Sequence, residues 1–320
     1  MPSASTTRIA AGAVMAIIGH SIFLAAPIRA QDDMLTAQEP CQLELSVEPA
    51  GEWMGPYGRG YDVFEAEQAF EPFAVSVRHA GVRCEFFLTA SPSDAGNGNV
   101  IEGPVGRISY DLLMSTSGPS FLSESYMGTD TSRIEGTFGT GSGLQTANLL
   151  LYFAPGQWIA GGRYDGAATI RLFRSDPDGP ELVDEVSLPI AVDVPASLRI
   201  RSDRFAQGTR ETMIDLGNLG EGSSTNIGFN VESNADISVT VDSANRGKLS
   251  HMAGAPGIPY RLLFEGTDLD LSGATSIRKS VTGRSEGGQA MSFELDVPAP
   301  RQLPASGEYT DTLTITFVAE

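Results

Sequence analysis

The 320-residue chain predicts an all-β protein built of two tandem β-sandwiches, and three observations carry that expectation. Glycine (36 residues) and proline (19) punctuate short segments in which apolar and polar residues alternate, which is the spacing of turns between strands. No long stretch repeats its apolar residues at helical spacing. Residues 154–170 align without a gap on residues 299–315, with eight identities in seventeen positions at a constant offset of 145, an internal repeat of domain size.

In the first half, the alternation predicts strands at 42–47, 73–77, 83–89, 108–114, 148–153, 168–173 and 186–194. In the second it predicts strands at 197–201, 227–231, 237–241, 260–264, 292–297 and 310–318. Ile108-Ser-Tyr-Asp-Leu-Leu113 resembles Ile258-Pro-Tyr-Arg-Leu-Leu263 at an offset of 150, so the repeat extends beyond its best-matching stretch, with loop insertions between shared strands. The two sets of strands meet near Pro195, which divides the chain into an N-terminal sandwich at 31–194 and a C-terminal one at 195–320.

The clearest alternation is the last. Tyr309, Leu313, Ile315 and Phe317 face one way, with Asp311 the exception, and Thr310, Thr312, Thr314 and Thr316 face the other, as in a half-buried strand. Tyr164 and Tyr309 each stand shortly after a glycine at the head of such a strand, like the tyrosine that opens strand F of immunoglobulin-like sandwiches. If each marks strand F, residues 186–194 are strand G of the first sandwich, and the second has no strand G of its own. A missing edge strand leaves unpaired backbone beside apolar core, a groove that an added strand would fill. Tyr309, Leu313, Ile315 and Phe317 are the expected lining of that groove.

Residues 1–30 carry Arg8, an apolar stretch and the small-residue end Ile28-Arg29-Ala30, the pattern of a cleaved secretory signal. Its removal leaves 19 basic against 40 acidic side chains, a net charge near −21 that argues against nucleic acid or anionic lipid as partner. Cys41 and Cys84 are the only cysteines, and in an exported chain they are expected to form a disulfide. No metal site is expected, because His79 and His251 lie outside any cysteine-rich spacing.

Together these features resemble the spore coat protein U domain family, found in subunits of archaic, Csu-type chaperone–usher pili. The resemblance rests on Cys41 and Cys84 flanking the first strands, on the 108–113 and 258–263 segments, and above all on the Gly307-Glu-Tyr-Thr-Asp-Thr-Leu-Thr-Ile-Thr-Phe317 stretch. Ile214-Asp-Leu-Gly-Asn-Leu219 and Val241–Leu249 are similar to that family's early strands. The resemblance implies immunoglobulin-like subunits lacking strand G. A periplasmic chaperone lends the strand, an outer-membrane usher mediates assembly, and the adjacent pilin subunit finally supplies the replacement. This chain has two domains, and its segment before Cys41 is short, polar and without clean alternation, which suits a strand acceptor rather than a donor. The implied role is the tip subunit, secreted through the periplasm to the cell surface, whose first domain binds an abiotic or host surface.

Adhesive groups are expected on loops of the first sandwich that carry large apolar residues: Trp53, Met54, Tyr57 and Tyr61; Phe121, Leu122, Tyr126 and Met127; and Trp158 and Ile159. A sugar-binding version would use Trp53 or Trp158 as a stacking face, with Glu52 or Asp62 bonding hydroxyls. A core-capping role for Trp53, Phe121 and Trp158 is the competing expectation. The carboxylates are scattered over turns and outer faces, and Gly141-Ser-Gly-Leu does not form a nucleophile elbow, so neither an enzyme nor a cofactor is expected. The alternatives are a self-complete secreted or periplasmic module that binds carbohydrate or protein, and a minor shaft pilin.

Overall fold

The computed structural model describes residues 40–48, 53–93, 98–205, 209–280 and 287–320. The expected signal (1–30), the polar segment up to Glu39, and Glu52 lie outside the described residues. Glu39–Glu320 forms one compact unit, within which apolar side chains gather in two separate cores. Among the described residues the chain is all-β, as expected, with one short 3₁₀ turn at Leu219–Glu221.

The first sandwich places two antiparallel sheets face to face. One has the order β1-β2-β8-β6, from β1 (Gln42–Glu48), β2 (Phe70–Ala80), β8 (Gly143–Tyr152) and β6 (Asp111–Leu113). The other runs β5-β4-β9-β3-β7, from β3 (Cys84–Pro92), β4 (Val100–Gly103), β5 (Gly106–Ser109), β7 (Ile134–Phe138) and β9 (Gly162–Asp176). The long strand β10 (Gly179–Val194) pairs with β9. Alternation with period two puts Phe73, Val75 and Val77 of β2 inside, opposite Ala168, Ile170 and Leu172 of β9 and Leu188, Ile190 and Val192 of β10.

The second sandwich repeats this plan. Its first sheet runs β11 (Leu198–Arg201), β12 (Ser223–Ser233), β19 (Gln289–Val297), β16 (Arg261–Phe264) and β17 (Thr267–Asp268). Opposite lie the ribbons β18-β13-β21 and β15-β14-β20, from β13 (Ile237–Ser243), β14 (Lys248–His251), β15 (Ile258–Pro259), β18 (Thr275–Lys279), β20 (Tyr309–Thr310) and β21 (Leu313–Ala319). Register shows that the repeat is structural. Ile170 pairs with Ala90 as Ile315 pairs with Val241, and Asp165 pairs with Glu102 as Thr310 pairs with Ser250. Thus β20 and β21 occupy the place of β9, β13 that of β3, and β14 that of β4.

Both tyrosines that open the F-type strands act alike. The Tyr164 hydroxyl donates to the carbonyl of Ala160 at 2.9 Å, and that of Tyr309 to the carbonyl of Ala305 at 3.2 Å, each four residues upstream.

Several sequence expectations need correction. The strand expected at 108–114 breaks at Tyr110, and its counterpart has strands either side of Tyr260, because the chain there crosses from one sheet to the other. The strand expected at 310–318 is interrupted after Thr310, because Asp311 turns inward. Its carboxylate accepts from the hydroxyls of Tyr260 and Ser243 (both 2.6 Å) and the backbone N–H of Asn245 (2.9 Å). The hydrogen bonds explain the one polar residue on the apolar face of that strand. Residues 214–218 form no strand; Ile214, Leu216 and Leu219 instead pack on the second core as a covering segment. Strands β4, β7, β14 and β18 escape sequence reading because each is only four or five residues long, with one buried position at most.

Candidate functional site

The two sandwiches differ at one sheet edge. In the first, β10 runs antiparallel to the whole length of β9, from Gly179 opposite Asp176 to Val194 opposite Gly162. Beneath it Ala168, Ile170 and Leu172 are each 0% exposed, and Leu188, Ile190, Val192 and Val194 of β10 are themselves core. In the second, β21 pairs with β13, and no strand among the described residues covers its other edge. Leu313, Ile315 and Phe317, which occupy the places of Ala168, Ile170 and Leu172, are only partly buried, as is Tyr309 in the place of Tyr164. The residues expected to line a groove therefore share one half-covered face.

Sequence reasoning missed other partly buried side chains on the same core: Phe205, Ile214, Leu216 and Leu219. They belong to the connection between β11 and β12, as residues 53–61 belong to the connection between β1 and β2. In the first sandwich that connection lies against the free side of β10. The Trp53 N–H donates to the Ala191 carbonyl (3.1 Å) and the Tyr61 N–H to the Asp193 carbonyl (2.8 Å). Gly60 is required there, since φ is +83° and a Cβ would stand 2.1 Å from the Asp193 carbonyl oxygen. Phe229 ties the other end of the second core together, with its ring 5.2 Å from Phe317 and 5.8 Å from Phe205.

The loops expected to carry adhesive groups fare differently. Trp53, Tyr61, Phe121, Leu122 and Ile159 are core residues, so the expectation that they form an exposed patch is corrected. Trp53 meets the Phe153 ring edge-on at 5.3 Å. The Tyr61 hydroxyl donates to the Ala154 carbonyl (2.8 Å) and accepts from the Gln157 N–H (2.7 Å), and burial pushes its pKa up to about 12. These loops fold inward because a sandwich must close its ends as well as its faces, and a large apolar side chain does so best. Met54, Tyr57 and Tyr126 remain exposed, with Met127 and Trp158 partly buried. The Tyr57 hydroxyl donates to Glu67 at 3.2 Å, and the negative charges of Glu67 and Glu65 raise its pKa. Tyr126 stands edge-on to Phe173 at 5.6 Å, with the Arg171 guanidinium 4.7 Å over its ring. A stacking face for sugar on Trp53 is excluded by its burial.

Position matters as much as exposure. The beginning of β9 lies beside the second sandwich, where the Gly161 N–H donates to the Asn234 carbonyl at 3.1 Å. Trp158 packs edge-on against Phe64 (5.1 Å), and the guanidinium of Arg199 in β11 lies 4.5 Å over the Phe64 ring. Loops 53–61 and 157–161 therefore gather where the two sandwiches join. The opposite end is formed by the Cys41–Cys84 disulfide, the turn at 81–83, and the turns at 139–142 and 177–178. In the second sandwich Leu303, the counterpart of Trp158, is 85% exposed.

The disulfide forms as expected. The pairing of β1 with β2 sets His79 opposite Leu43, and a ring nitrogen of His79 and both sulfurs lie within 4.8 Å of one another, a proximity that spacing along the chain does not reveal.

No protein-family profile matches the chain, and no curated protein matches it. Similar solved structures include pilus proteins. The chaperone–tip adhesion subunit complex CsuC–CsuE of archaic chaperone–usher Csu pili of Acinetobacter baumannii matches over 73% of this chain and 84% of that one, at 10% identity and a TM-score of 0.39. The CupB6 tip adhesin of Pseudomonas aeruginosa matches over 87% and 93%, at 13% identity and a TM-score of 0.38. CfaE, the adhesive subunit of CFA/I fimbria of enterotoxigenic Escherichia coli, matches over 86% and 81%, at 12% identity and a TM-score of 0.34. All three TM-scores lie below 0.5, and the likeness by itself assigns neither family nor function.

Proposed function

We propose that this chain is a tip subunit of a chaperone–usher pilus of the archaic type. Its second sandwich accepts a strand, first from a periplasmic chaperone and then from the adjacent pilin subunit, with an outer-membrane usher mediating the exchange. Its first sandwich, complete in itself, contacts an abiotic or host surface, and the route is through the periplasm to the cell surface. The observation that carries the strand-accepting role is the edge of β21 that no strand among the described residues covers, where Leu313, Ile315 and Phe317 are half-covered at positions that β10 seals in the first sandwich. Unpaired backbone beside apolar core is unfavourable in water, and main-chain pairing with an added strand relieves both defects. An occupant antiparallel to β21 would present apolar residues at alternate positions, as β10 presents Leu188, Ile190, Val192 and Val194. Phe205, Ile214, Leu216 and Leu219 would close its far side, as residues 53–61 do for β10.

Met54, Tyr57 and Tyr126 are the adhesive residues that burial leaves available on the first sandwich. They lie on its flank and toward the joint rather than at its outer end. Adhesion through them is tested by polystyrene binding of Met54→Ser, Tyr57→Ser and Tyr126→Ser variants, with soluble glycans as competitors.

The strand-accepting role is tested by periplasmic expression with and without an archaic-type chaperone, and by appending a turn and a copy of residues 179–194 after Glu320. Chaperone-dependent solubility in a one-to-one complex, replaced by chaperone-independent solubility in the appended chain, is the expected result. A protease-resistant monomer in both cases would instead make the chain a self-complete binding module.

A further inference from the structure

The outer end of the first sandwich holds a second cluster of chemistry-bearing groups that strand exchange does not use. Cys41, just ahead of β1, and Cys84, opening β3, are joined across the two sheets, with Cα atoms 6.1 Å apart. His79, near the end of β2, is 3% exposed, and its ring stacks on Phe138 with centroids 4.8 Å apart and planes 7° apart. One ring nitrogen, Nε2, lies 2.8 Å from the Val82 carbonyl oxygen. A carbonyl can only accept, so Nε2 carries the proton and Nδ1 is left with a free lone pair. That Nδ1 is buried and has no hydrogen-bond partner, although such a group ordinarily has one.

A buried imidazole whose N–H is held by a backbone carbonyl, while its other nitrogen is bare, has the arrangement of a metal-ligating histidine with its outer partner in place. The two sulfurs are the other donors at hand, since a ring nitrogen of His79 and both sulfurs lie within 4.8 Å of one another. We infer that in the dithiol form of this chain Cys41, His79 and Cys84 form a Cys₂His site for a zinc-like divalent cation, with the fourth position open to water.

The chemistry balances without an added oxidant. A chain whose disulfide has not yet formed carries both thiols. Binding one Zn²⁺ converts two S–H groups to thiolates and releases two protons, while His79 contributes its existing lone pair. A chain already oxidised must first take up two electrons and two protons from a dithiol or phosphine reductant, breaking the S–S bond. Zinc–sulfur bonds of about 2.3 Å and a zinc–nitrogen bond of about 2.0 Å place tetrahedral ligand atoms roughly 3.5–3.8 Å apart. The sulfurs would separate to that distance and the imidazole would approach by about an ångström, within reach of side-chain rotation. Disulfide and metal exclude each other, so the site holds the two cysteines together only until oxidation.

The test uses the full mature chain, reduced with a phosphine under anaerobic conditions and titrated with Co²⁺ and then Zn²⁺. The expected result is one equivalent of Co²⁺, reported by a thiolate-to-cobalt band in the near ultraviolet and intense visible d–d bands, both removed by Zn²⁺, with no binding by the oxidised chain. His79→Ala should weaken binding at least tenfold, with folding checked by circular dichroism of its oxidised form. Independently of any variant, the Co²⁺-loaded wild type should show a paramagnetically shifted, exchangeable imidazole N–H resonance, from Nε2–H held by Val82. Absence of the thiolate band, equal affinity in wild type and a folded His79→Ala chain, or absence of the shifted imidazole signal would each overturn the assignment.

Discussion

Strand β9 of the first sandwich and strand β21 of the second are copies of one another with different fates. Each has at its head a tyrosine that bonds its own chain four residues back, and each pairs in the same register with the corresponding strand, β3 for β9 and β13 for β21. Under β10, Ala168, Ile170 and Leu172 vanish from solvent; with no such strand among the described residues, Leu313, Ile315 and Phe317 stay half-exposed. The difference shows that the inward face of an F-type strand is encoded locally, whereas its burial depends on what lies on its far edge. Fully burying a leucine, isoleucine or valine contributes about 1.5–3 kcal/mol, so four inward residues of a covering strand supply a large share of a small domain's stability.

The comparison is broken most forcefully by giving the first sandwich the defect of the second. Ile190→Asp puts an unpaired charge where β10 seals the core, and the first sandwich should lose its cooperative transition in chemical denaturation while the second keeps its own. The milder Ile190→Ala should cost about 2–5 kcal/mol. Cys84→Ser comes next: opening a loop of 43 residues should destabilise the first sandwich by about 4 kcal/mol on the chain-entropy estimate. Equal loss in both sandwiches, read by domain-resolved hydrogen exchange, would contradict two separate cores.

The reciprocal change in the second sandwich is Asp311→Ala, which strands the hydroxyls of Tyr260 and Ser243 and the N–H of Asn245. A loss of about 3 kcal/mol confined to the second transition is expected. The joint gives a smaller and asymmetric pair. Trp158→Ala should cost about 1–3 kcal/mol and loosen the contact of Phe64 with Arg199, whereas Leu303→Ala, at the same repeat position, should change stability by less than about 0.5 kcal/mol. Calorimetry of the two single variants measures the contrast.

The smallest effect is alkaline. Burial raises the pKa of Tyr61 to about 12, and burial, with the Asp311 hydrogen bond second, raises that of Tyr260. In the unfolded chain both ionise near 10, so the folded state holds its protons more tightly. The stability they confer is complete below pH 10 and falls as pH rises through the folded values. Both transitions should weaken above pH 10, and Tyr61→Phe should flatten the decline of the first alone.

Much of this was legible from residues alone. Period-two alternation located most strands that bury three or more side chains, because burial on one face imposes that period whatever the partner, whereas β3 is buried on both faces from Phe86 to Pro92. The repeat of residues 154–170 in 299–315 announced a second copy of the same sandwich, and the glycine-tyrosine pairs marked where each F-type strand begins. The loops were legible only as apolar. Trp53 and Tyr57 lie four residues apart among similar neighbours, yet one covers the core beside Val192 and the other lies in solvent next to Glu67. Nothing local distinguishes them.

Residue order alone sets the all-β class, the repeat and the inward faces, since each follows from spacing along a chain whose side chains alternate, and it sets the cysteine pair because Cys41 and Cys84 are the only two cysteines. Tertiary structure decided which loop residues become core, why Asp311 belongs on an apolar face, and that His79 stands beside the cysteines. These depend on pairings between residues tens of positions apart, and the energy of a contact is set by the partner that folding brings to it rather than by the residue that waits for it.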